Sequence, residues 1–248
     1  MRLVRRRFAW CAAVIVLFSA VQGFPETRYV AVDGTDSPPY LTLTNAARSI
    51  QSAINVSSNG DVILVQPGTY RESIRFHGKK ITVASRYYVS GDRQDVDATV
   101  LTAEYGQRPV TFSSNETWEA ILQGFTIRNG QPIGAGYYDL SGGAISCRNA
   151  SPTLRDLVIS NCFAGMDGGG LYFEQCNSTV LNVKVVGNLA SNSGGGIRVS
   201  YGCPTFINVQ VSDNRVLRYD GGGLLLYHAN SVLRNCLISW NATAIKGG

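Results

Sequence analysis

The chain has 248 residues, of which 44% are hydrophobic and 16% charged, with a formal net charge of +5. Four of its 22 basic residues (Arg2, Arg5, Arg6 and Arg7) sit at the extreme N-terminus, and the remainder nearly balances the 17 acidic ones, so the charge gives no case for a nucleic-acid partner. The six cysteines exclude both a disulfide scaffold and a metal or redox pair, because they are sparse for the length and none shows C-x-x-C spacing.

In chain order, the arginines form a positive n-region and "FAWCAAVIVLFSA" (Phe8 to Ala20) an apolar h-region. "VQG" then places small residues at a cleavage spacing, so residues 1–23 read as a signal peptide and Phe24 as the mature N-terminus. The competing readings are an uncleaved anchor, for which the run is short of the ~20 residues of a comfortable span, and a twin-arginine signal, whose usual surroundings are weak. Export by a cleavable signal puts the protein in the periplasm, at the cell surface or outside the cell. Removing the leader also removes Cys11 and leaves Cys147, Cys162, Cys176, Cys203 and Cys236, which read as small apolar residues facing a core.

Ala47, Ile50, Ala53 and Ile54 share one helical face, a fit for a helix that covers the open end of a stacked structure. "NGD" (Asn59 to Asp61) and "PGTY" (Pro67 to Tyr70) are turn signals flanking a strand at Val62 to Val65, and the stretch from Tyr87 to Asp97 reads as a loop. Beyond it the chain repeats itself. "DGGGLYFEQCNSTVLNVKVVGN" from Asp167 returns as "SGGGIRVSYGCPTFINVQVSDN" from Ser193 and "DGGGLLLYHANSVLRNCLISWN" from Asp220.

Three columns keep the step: Ile145, Leu171, Ile197 and Leu224; Leu154, Val180, Phe206 and Leu233; Ile159, Val185, Val211 and Ile238. A fixed period of this size signals a solenoid, and apolar residues alternating with polar ones within each copy make it one of strands. Such short strands bury their apolar side only if each copy pairs with the next, at roughly 4.8 Å. The sequence predicts an all-β parallel β-helix over residues 61–248, with residues 24–60 forming its N-terminal cap. Two columns, Asp156, Asn182, Asn208 and Asn235 and then Cys162, Asn188, Asn214 and Asn241, read as amides stacked at bends, where Asn tolerates left-handed backbone. The glycines supply positive φ or close approach at another corner.

"GGAISCRNASPTLRDLVISNC" (Gly142 to Cys162) and "LQGFTIRNG" (Leu122 to Gly130) resemble the coils of right-handed parallel β-helix proteins of the pectin-lyase-like superfamily. More narrowly, they are similar to secreted bacterial proteins with polymorphic outer-membrane-protein-like repeats, which read "GGGIYC…SPTI.NCTI..N". The resemblance covers essentially the whole mature chain. It implies an N-terminal strand at "YVAVDGTD" (Tyr29 to Asp36), a capping helix and a first coil from Ala46 to Ile74. It is specific for fold and poor for function, since one scaffold hosts many activities.

Alternation places Ser146, Tyr172, Arg198 and Leu225 in one outward row and Arg148, Glu174, Ser200 and Tyr227 in another, with Tyr201, Tyr219 and His228 nearby. Aromatic platforms and planar cations suit sugar rings and uronate carboxylates, so Tyr172, Glu174, Arg198 and Tyr227 are the candidate binding residues. The resemblance implies that a lyase would pair an Arg or Lys base with Ca²⁺ on carboxylates, and a glycosidase several close Asp residues. Arg198 with Glu174 or Asp167 stands alone in that role. Asp167 and Asp220 lie two coils apart, roughly 10 Å, too far to share one Ca²⁺. The sequence therefore supports no cofactor and assigns no catalytic residue.

The expected function is a secreted or cell-surface module that binds polysaccharide or another cell-envelope component without turnover. The alternatives are a polysaccharide lyase or glycoside hydrolase, and a passenger segment of an autotransporter-like protein. "AIKGG" (Ala244 to Gly248) repeats the approach to a further glycine corner, so more coils are expected downstream, and an uncapped last coil invites end-to-end association.

Overall fold

The computed structural model describes residues 24–244; the signal peptide expected at 1–23 and the further glycine corner expected at 245–248 lie outside the described residues. The chain winds as a right-handed parallel β-helix. Each regular coil contributes one strand to each of three long faces. In the coil from Ile145 these are Ile145–Arg148 on the second sheet, Thr153–Arg155 on the first and Val158–Ser160 on the third. A two-residue strand, Phe163–Ala164, adds a short fourth sheet that the alternation pattern is too brief to reveal.

Register follows the repeat. Ile145 pairs with Leu171, Leu171 with Ile197, and Ile197 with Leu224. The other two columns pair in the same way, Leu154 with Val180 and Ile159 with Val185. These side chains form one continuous apolar core with Phe76, Phe112, Phe125 and Phe173. Cys147, Cys162 and Cys176 are buried in it and Cys236 packs at its margin, whereas Cys203 is exposed on a turn.

Each coil turns through left-handed residues at matched positions. Asp156, Asn182, Asn208 and Asn235 have φ between 51 and 55°. Gly142, Gly168, Gly194 and Gly221 open the glycine corner at φ 61–79°. The next glycine is needed for a different reason: a Cβ on Gly169 would meet Gly195 O at 2.2 Å. The second asparagine column corrects the sequence reading. Its members do not occupy the left-handed position, which belongs to the residue before each (Asn161, Gly187, Asp213 and Trp240). Asn188 and Asn214 instead point inward and are buried.

That buried column is a hydrogen-bonded ladder. Cys162 N–H donates to Asn188 Oδ1 and Asn188 N–H to Asn214 Oδ1, both at 3.0 Å. Asn214 Nδ2 donates to Val185 O, Ser212 O and Asn241 Oδ1 at 2.9–3.0 Å. The interior thus holds an amide because every donor and acceptor of it is answered. Cys162 heads the ladder with sulfur contacts to Ser160 O (3.2 Å) and Gly130 N (3.4 Å).

At the N-terminal end, Thr27–Val30 pairs with Val62–Val65, and the helix Ile50–Val56 buries Ile50, Ala53 and Ile54 over the core. Glu72 accepts from Ile50 N–H and Gln51 N–H, while Lys79 Nζ donates to Ile54 O, Asn55 O and Ser57 O. The first coil thereby answers both poles of the helix dipole. Ala47 lies just before the helix and bridges to Val30. The stretch expected as a loop carries two short helices, Tyr87–Ser90 and Arg93–Ala98. Asp92 caps the second, accepting from Gln94 N–H, and buried Asp95 ties it to Arg86.

Candidate functional site

The second sheet runs from Ile74–Arg75 through Val110–Phe112, Ile145–Arg148, Leu171–Glu174 and Ile197–Ser200 to Leu224–Tyr227. Its register sets both outward rows as read from the sequence: Ser146, Tyr172, Arg198 and Leu225, and Arg148, Glu174, Ser200 and Tyr227. Extended to the N-terminal side, the first row continues through Thr111 to Arg75.

The structure divides the four candidate residues. Tyr172 lies on the outer face but is only 1% exposed, because residues 131–141 fold across it as a strap. The rings of Tyr137 and Tyr138 lie 6.2 and 6.4 Å from that of Tyr172. Tyr172 is therefore no open platform. Its hydroxyl donates to Glu174 Oε2 at 2.6 Å, and burial followed by this carboxylate pushes its ionisation far above the usual tyrosine value.

Arg108 holds the strap, donating to Gly142 O (2.8 Å) and Asp139 O (2.9 Å) among other carbonyls. Burial, reinforced by Arg75, pushes this guanidinium down to about 10, so it stays charged at neutral pH. Arg148 lies 3.9 Å from the Tyr138 ring centre as a cation–π partner. Sequence reasoning missed the strap. Its signal was an added length: the step from Leu122 to Leu154 is longer than that from Leu154 to Val180, and the surplus carries "GAGYYDL".

Of the two carboxylates the sequence offers to Arg198, the structure places Asp167 beside it. Arg198 Nε lies 3.6 Å from Asp167 Oδ2 and donates to Ser200 Oγ at 3.1 Å. Asp167 is buried, accepts from Ser193 N–H at 3.0 Å and receives the Tyr137 hydroxyl. The guanidinium is a fixed cation rather than a free base, and arginine keeps its proton in proteins. Its carbon lies 5.1 Å from the ring centre of Tyr227.

Beside it, Tyr201 stacks on His228 at 5.3 Å and meets Tyr227 edge-on at 5.5 Å. Tyr201 is 51% and Tyr227 44% exposed. Tyr201 (φ 52°) and His228 (φ 47°) occupy the left-handed corner position that Asn149 and Gln175 hold in earlier coils. A bulky residue there costs roughly 1–2 kcal/mol, so this corner accepts strain to present two rings. Tyr219 is exposed and joins no ring contact among the described residues. Among the described residues no three His, Cys, Asp or Glu side chains come together as a metal cluster.

Residues 143–246 match the family model described as "Right handed beta helix region". No curated protein matches the chain in sequence. Among solved structures, it is similar to the pectin methylesterase from Aspergillus niger in its deglycosylated form, at 12% identity and a TM-score of 0.46 over 90% of each chain. The penultimately deglycosylated form of that enzyme gives 13% identity and a TM-score of 0.44, over 89% of this chain and 86% of the other. The family model and the stacked parallel sheets agree that the chain has a right-handed parallel β-helix fold.

Proposed function

We propose that the protein is an exported module that binds an acidic polysaccharide, without cleaving it, on the outer face of the second sheet. The observation that carries this reading is the strained aromatic corner of Tyr201, Tyr227 and His228 beside the fixed cation Arg198. Rings supply faces for sugar C–H groups, and the Arg198 guanidinium, 11% exposed and paired through Nε with Asp167, keeps its two Nη groups without a hydrogen bond among the described residues, for a carboxylate. Glu174 and the buried Tyr172 support the floor of this site rather than its opening.

Turnover is disfavoured because the two carboxylates beside Arg198 are already engaged: Asp167 by Arg198 and Tyr137, Glu174 by Tyr172. A screen of pectate, alginate and chondroitin by affinity electrophoresis tests the reading. Retardation by at least one acidic polymer, lost in Tyr227→Ala, is expected. Tyr227→Ala is the cleaner probe, since Arg198→Ala would also strip Asp167 of its cation. Unsaturated-uronate absorbance that disappears with Arg198 replaced would establish a lyase instead, and no retardation by any polymer would favour a structural or protein-binding role.

A further inference from the structure

A depression of about 620 Å³ lies at the corner between the second and first sheets, nearer the N-terminal end. Its lining includes Asn115, Trp118, Asn149, Ser151, Gln175 and Asn177. Trp118 is 70% exposed, and its indole N–H has no hydrogen-bond partner among the described residues. The side-chain amides of Asn115, Asn149 and Gln175 have no partner among the described residues. Asn177 uses only its carbonyl oxygen, which accepts from Cys203 N–H.

The depression offers no cation. Its one ionisable residue, Glu116, is buried, with its two carboxylate oxygens accepting from Gly78 N–H (3.0 Å) and Ser114 N–H (2.8 Å). On the other side of Trp118 lies a further depression of about 550 Å³ with Asn59, Lys80, Thr82 and Glu119. There Lys80 and Glu119 neutralise each other at 2.7 Å. An exposed indole standing between two hollows that present no unpaired cation, ringed by idle amides, matches a ligand with apolar faces and a hydroxyl rim rather than an acidic one.

We infer that Trp118 is the platform of a second glycan site, specific for neutral sugar rings, with Asn149, Gln175 and Asn177 reading their hydroxyls. It is separate from the acidic-polymer face, where Arg198 supplies the charge. Together the two sites would let one β-helix engage a neutral and an acidic glycan at once.

The test uses Trp118 as its own reporter. In the Trp10→Phe, Trp240→Phe chain it is the sole indole. Bacterial expression keeps the N-x-S/T triplets at Asn115, Asn149 and Asn177 unmodified. Titration with neutral hexasaccharides of glucose, mannose or xylose should give a saturable change in Trp118 emission. Adding Asn149→Ala and Gln175→Ala should weaken it about five-fold or more. Tyr227→Ala should leave it intact, which keeps this site's outcome apart from that of the acidic face. The inference is overturned by no emission change with any neutral hexasaccharide, by an equal response to hexagalacturonate, or by unchanged affinity in the amide variant.

Discussion

Two columns of asparagine run the length of the regular coils, and they do opposite jobs. The outer one, Asn182, Asn208 and Asn235 below Asp156, supplies left-handed backbone at a turn and passes one axial hydrogen bond from coil to coil. The inner one, Asn188, Asn214 and Asn241, faces the core and answers main-chain groups that would otherwise be buried unpaired. Position relative to the corner, not residue type, decides whether the fold needs the amide or the φ. The direction of the outer ladder follows from its head: Asp156 only accepts, so both Gln123 Nε2 and Asn182 Nδ2 point their donors at it.

The contrast can be broken at four places. The largest effect is expected from Val209→Asp, which puts a polar group at a buried position that has no ladder to receive it. A loss of about 4 kcal/mol or failure to fold is expected in urea denaturation, and parent-like stability would show that Val209 does not face the core. Next, Asn214→Ala removes the acceptor of Asn188 N–H and the donor to Val185 O and Ser212 O. It should cost about 3 kcal/mol, and a cost below that of an outer-column variant would reverse the comparison.

A third probe is a buried polar group outside both ladders. Burial alone would raise the Asp61 carboxyl, but N–H donors from Ser58 and Glu26 and the Arg28 guanidinium outweigh it and hold it below the usual carboxylate range. A depressed folded value gives stability that is present above the unfolded value and lost as pH falls through the folded one. Asp61→Asn should therefore cost about 2 kcal/mol at neutral pH and flatten the acid limb below about pH 4. An unchanged acid limb in a pH series of urea midpoints would remove Asp61 from this role. The smallest effect belongs to the outer column: Asn208→Gly should cost under about 1 kcal/mol, because glycine takes φ 53° freely, and Asn208→Val clearly more.

The sequence carried the fold well where one residue per coil meets its own kind. The columns through Ile145, Leu154 and Ile159 are paired as their spacing implied, because a period-two pattern repeated at a fixed step leaves one register that buries every apolar side chain. It carried less where a single residue type serves two purposes, as the asparagine columns show. The candidate site was half legible. Alternation put Tyr172, Glu174, Arg198 and Tyr227 on the outer face, but alternation is silent about what lies over a sheet. The strap that buries Tyr172, and the Trp118 corner, depend on loops whose length and path no periodicity encodes.

The most direct test of the account is the affinity of the Tyr201→Ala, Tyr227→Ala variant for polygalacturonate, measured by calorimetry beside the parent while uronate absorbance is followed. Both rings are exposed, so the melting temperature should barely move. The account predicts binding weakened at least about ten-fold, with no unsaturated product from either protein. Equal affinity in the two proteins, or product accumulating with the parent, would contradict it.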